Sequence, residues 1–160
     1  MIRKVAFGKA ALAGAVGASA WEAVARGAIA LGVPASDVTR TLGTLVTTRA
    51  WLWWPAGMAM HLVVGVIWAI FYAYFFWALY DRPPWLQGLT FSLIPTILSG
   101  LVMVPELGAM HEESFGVFGW REHGWAGPVS LIVGHAIYGV VLGAMYTHPV
   151  GRRVRRGAHA

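Results

Sequence analysis

From Ala56 to Tyr80 the chain runs for 25 residues without a charged side chain. At 1.5 Å per residue such a run crosses a bilayer with some tilt, and a buried soluble helix seldom needs that length. Lipid offers no hydrogen bonds, so a segment of this kind must satisfy its own backbone, which in an open chain means an α-helix. The run is also half of a repeat. Trp51-x9-His61-x3-Gly65-Val66-x5-Tyr72 returns 74 residues later as Trp125-x9-His135-x3-Gly139-Val140-x5-Tyr146. Five of 22 aligned positions are identical, and the paired Trp and His are costlier coincidences than the Gly and Val.

The whole composition points the same way. Of 160 residues, 58% are hydrophobic and 12% charged, where a soluble domain carries about 25% charged residues. One domain is expected at this length. The chain has no cysteine, which excludes disulfides, thiolate metal sites and cysteine nucleophiles. Its formal charge of +5 does not mark a nucleic-acid partner, because Arg152, Arg153, Arg155 and Arg156 sit in a tail beside a membrane segment. Basic residues there orient a span and meet anionic lipid.

Read in order, the sequence predicts an all-α, polytopic four-helix membrane bundle in one domain covering 1–160. The spans fall at about 8–33, 56–80, 85–104 and 126–147, with a basic cytoplasmic tail at 148–160. Arg3, Lys4 and Lys9 precede an apolar stretch broken only by Glu22 and Arg26. A cleaved leader ending near Ala18-Ser19-Ala20 competes with a retained helix, but the apolar pattern continues to Val33 and favours retention. Its small residues lie in helical rows, Ala10, Gly14 and Ala18 on one and Ala11, Ala15, Ser19 and Ala23 on the next. Such rows let helices approach closely in lipid. Gly32 and Pro34 stop that helix, and Ser36 or Asp37 caps a short polar one. Trp51, Trp53, Trp54 and Trp125 read as membrane-interface anchors. Asp81-Arg82-Pro83-Pro84 is a tight turn, Pro95 predicts a kink, and Pro105-x2-Gly108 reads as the end of the third span.

Four spans put both termini on one side. With the 81–84 turn, that side holds Arg3, Lys4, Lys9, Arg82 and the four tail arginines; the other holds Arg40, Arg49 and Arg121. The positive-inside rule then gives N-in and C-in in the inner membrane. His61 lies about 9 Å past Pro55, and His135 about 10 Å past Pro128. The repeat implies a two-fold axis along the membrane normal relating helices 1–2 to helices 3–4.

The imidazole pair has four readings. Bis-His ligation of a haem would use Gly65 and Gly139 as clearance for the macrocycle. A transition-metal site would add Glu106, His111 or Glu22. A proton or small-solute pathway would use imidazoles that titrate near neutral pH. Interhelical polar glue needs no ligand at all. Arg26 pairs with Glu22 at i, i+4 on one face, and Tyr72 and Tyr146 close the two repeat helices. No phosphate loop or positioned nucleophile is visible, so the sequence favours a ligand- or metal-binding accessory protein over an enzyme. Lipid is the expected partner, with self-association or a larger membrane complex.

The Ala/Gly-rich first helix, Gly32-x-Pro34, the His-x3-Gly helices ending in Tyr72 and Tyr146, and Pro105-x2-Gly108 together resemble small prokaryotic inner-membrane proteins of the YagU type. The resemblance implies a four-helix integral membrane protein and carries no activity with it.

Overall fold

In a computed structural model of the chain, residues 5–77, 79 and 81–147 are described. Arg3, Lys4, Tyr80 and the whole basic tail, on which much of the expected orientation rests, lie outside them. The described residues form helices and turns with no strand: α1 (Phe7–Ala30), α2 (Val38–Thr44), α3 (Trp53–Phe76), α4 (Pro84–Met110), α5 (Trp120–His123) and α6 (Ala126–Met145).

Local signals set the ends. Past α1, Gly32 takes φ 75°, and the Val33 and Gly32 amides return to the carbonyls of Ala28 and Ile29 at 2.9 and 3.0 Å. That is a Schellman closure, which satisfies carbonyls the helix would leave open. Asp37, one of the two expected caps, accepts the Arg40 amide at 2.9 Å and starts α2.

The third apolar segment runs longer than expected. Pro105 does not end it. A π-helical turn at Ser99–Met103 comes just before, and the helix then continues through Pro105 to Met110. The wide turn has already shifted the hydrogen-bond ladder by one residue, so a residue without an N–H is accommodated there. Tyr72–Phe76 forms a second π turn at the end of α3.

Three helices, α3, α4 and α6, are long and apolar enough to cross a membrane. The helix expected as the first span, α1, is not among them, since Lys9, Glu22 and Arg26 dilute its apolarity. It is nonetheless central, packing against both α3 and α6, while α4 packs against α6 and sets Phe91 against Tyr72 and Phe76 at the end of α3. The interior mixes small and polar residues with rings such as Trp21, Tyr72, Phe91 and Tyr138, while many large apolar side chains, among them Ile67, Phe71, Leu93, Ile97, Leu101 and Ile132, point outward. So apolar an outer surface suits a hydrocarbon surround.

Glycine permits the crossings. A Cβ on Gly14 would meet the Gly65 carbonyl and Ala69, and one on Gly65 would meet Ala18. Likewise a Cβ on Gly88 would meet the Gly139 carbonyl and Gly143, and one on Gly139 would meet Ser92. At one end of the molecule Lys9 donates to the Thr147 carbonyl, and the Ala6 amide donates to the Tyr146 hydroxyl at 3.3 Å. At the other end the Ser36 amide donates to the Ser130 hydroxyl at 3.3 Å.

Candidate functional site

Each repeat helix presents one row inward. On α3 the row is Gly57, His61, Gly65 and Ala69, at i, i+4 spacing; on α6 it includes Leu131, His135, Gly139 and Leu142. Both imidazoles are therefore buried, at 6% and 5% exposure, and neither points to the apolar surface. What they meet is an indole. Trp21 of α1 packs edge-on against His61, with ring centroids 5.0 Å apart, and tilted against His135 at 4.5 Å. Room for it exists because residue 134 is glycine, whose added Cβ would overlap the indole.

The two histidines differ in their bonding. His135 Nδ1 lies 2.9 Å from the Leu131 carbonyl, which can only accept, so this nitrogen carries the proton. Its Nε2 is then the acceptor, with the Ser99 hydroxyl 3.4 Å away at the start of the π turn. His61 Nδ1 is buried with no hydrogen-bond partner. Below the pair, the Tyr138 hydroxyl donates to the Gly65 carbonyl at 2.6 Å and ties α6 to α3. Because that carbonyl is also within a helix, Tyr138→Phe is expected to cost about 1 kcal/mol, the net worth of one hydrogen bond. Unfolding in detergent measures it, and a loss near zero would mean the bond contributes nothing in lipid.

A second polar group lies beside the first. Glu22 Oε1 accepts from Arg26 Nε at 2.7 Å, from the Thr39 hydroxyl at 2.8 Å and from the Trp54 indole at 3.2 Å. Arg26 also donates to Asp37 at 2.9 Å and lies over the Trp53 ring, 5.3 Å from its centroid. The expected Glu22–Arg26 pair thus exists, enlarged into a network that fastens α1, α2 and α3 together.

The expected ligand set does not assemble. Glu22 is committed to Arg26, Thr39 and Trp54. His111 bonds the Leu107 carbonyl at 2.8 Å and the Thr44 hydroxyl at 2.9 Å, and Glu106 is exposed near the end of α4. Among the described residues no three of His, Asp or Glu are grouped to hold a metal ion. Nor are Gly65 and Gly139 clearance for a macrocycle, since helix backbones occupy the space beside them. Trp51, Trp54 and Trp125 stand exposed, as anchors would, and Trp54 also donates to Glu22; Trp53 instead lies under Arg26. Tyr72 and Tyr146 are buried and meet each other edge-on at 6.1 Å. The residue that the sequence reading overlooked is Trp21. Its signal was present, as the one tryptophan of an Ala/Gly-rich helix, beside Glu22.

These features define a helical protein with three helices able to cross a membrane and a polar centre closed between them. The chain belongs to a family of unknown function, DUF6789, whose model matches residues 4–156. No curated protein and no solved structure matches it.

Proposed function

We propose that the protein is a four-span protein of the inner membrane, N-in and C-in, and that it is a ligand-binding accessory protein in which His61 holds the ligand. The carrying observation is His61 Nδ1, a buried nitrogen without a partner. Leaving such a group unpaired costs about 1–3 kcal/mol, and native interiors rarely retain the cost without a use for it. The 74-residue offset between the two histidine helices supports this reading. Adding 74 to the contacts Gly14·Gly65, Gly65·Ala18 and Gly14·Ala69 gives Gly88·Gly139, Gly139·Ser92 and Gly88·Gly143, each of which is formed. Under the same offset the Leu131 carbonyl that engages His135 corresponds to Gly57, yet His61 makes no such bond. These three glycine contacts follow the offset, whereas the imidazole bonding does not. α1 then serves as the first span, with Glu22 and Arg26 neutralised in their network and Lys9 at its end bonded to Thr147.

The test compares wild type, His61→Phe and His135→Phe in lipid nanodiscs. Wild type should carry a small molecule visible by native mass spectrometry and absent from His61→Phe. Elemental analysis and the visible spectrum sort a metal or haem from an organic ligand. With the bound molecule first extracted from wild type, His61→Phe should melt at or above it, because the variant removes an unpaired polar atom, whereas His135→Phe should lose about 1 kcal/mol with its bonds. Equal destabilisation by both variants, with no bound species in wild type, would make the imidazoles polar glue and end the proposal.

A further inference from the structure

We infer that the cleft between α1 and α6 is a binding site for one hydrocarbon chain of a membrane lipid. Trp21, Ala25 and Ala28 form one wall, and Val129, Val133 and Ile137 the other, enclosing about 160 Å³. Three observations choose this occupant. The lining from Ala126 to Ile137 follows α6 for about 17 Å, so the cleft is long and parallel to the helices, the shape and direction of an acyl chain. No charged side chain lines it, and its hydroxyls, Ser36 and Ser130, stand together at one end and already bond each other at 3.2 Å. A water-soluble ligand would lack partners there. That same end carries Trp125, exposed at 66%, as an indole at the headgroup level would be. A chain entering beside Trp125 would run down to the indole of Trp21, the wall shared with the imidazole pair.

This inference rests on the membrane placement proposed above and is independent of His61. The probe is a phosphatidylcholine with a photoactivatable diazirine in one acyl chain, incorporated into nanodiscs with the full chain and mapped by peptide mass spectrometry. Adducts should concentrate on Ala25–Ala28 and Val129–Ile137, several-fold above the exposed α4 face at Leu98 and Leu101. Ala28→Trp should abolish that enrichment and leave the α4 adducts unchanged; Val133→Trp, on the outer wall, provides a second filling variant should Ala28→Trp fail to fold. Equal labelling of both faces, or labelling insensitive to both fillers, would overturn the site. Absence of adducts on both faces would instead remove the membrane placement, and with it both proposals.

Discussion

Gly88→Leu is expected to destabilise the protein by at least about 3 kcal/mol, at the upper end of what overpacking costs. The reason is what the new side chain meets. A Cβ at this position runs into the Gly139 carbonyl and the Gly143 backbone, neither of which can rotate aside as a side chain would. In lipid, helices associate through close packing, so separating α4 from α6 sacrifices most of what joins them. Gly14→Leu should cost about as much, because the Gly65 carbonyl stands in the same relation to it. Gly27→Leu is the control. Nothing lies within 4 Å of its added Cβ, and leaving glycine inside a helix should gain up to about 1 kcal/mol. Unfolding in mixed detergent micelles orders the three variants. Gly88→Leu within about 1 kcal/mol of wild type would show that the helices do not cross at this glycine.

The second large effect lies in the charged network. Arg26→Met should cost about 2–3 kcal/mol, somewhat below the loss from breaking a fully buried pair because the Arg26 side chain is 33% exposed. Glu22 is the side left in difficulty. Its side chain is only 7% exposed, and without the guanidinium its charge retains only the Thr39 hydroxyl and the Trp54 indole. Adding Glu22→Leu to Arg26→Met should therefore recover more than half of the loss, since an apolar pair replaces an uncompensated carboxylate. Detergent unfolding of single and double variants reads this directly. Should the double variant be no more stable than Arg26→Met, the cost comes from lost packing over Trp53 and not from an abandoned charge.

Several features were legible in the linear sequence because they depend on neighbours in the chain. The Asp37 cap, the Gly32 stop and the membrane-length runs all follow from local rules. The His61–His135 relationship was legible too, since a repeated spacing puts two side chains on matching helix faces. The end of α4 was not. A proline usually stops a helix, and nothing in Ser99-Gly100-Leu101-Val102-Met103 announces the π turn that lets it pass. The metal set of His61, His135, Glu106, His111 and Glu22 failed for a related reason. Depth along a helix follows from counting residues, whereas the direction each side chain faces around the bundle depends on which helices are neighbours.

The sequence alone determined the helices: with so few charges and such long apolar runs, three of them are long and apolar enough to cross a membrane, and a helix satisfies its own backbone there. Tertiary structure alone decided which polar groups meet. It set Trp21 against both imidazoles, added Thr39 and Trp54 to Glu22, and left one nitrogen of His61 without a bond. Those outcomes turn on contacts between residues far apart in the chain, where an ångström of helix approach, permitted by glycine, determines which donor reaches which acceptor.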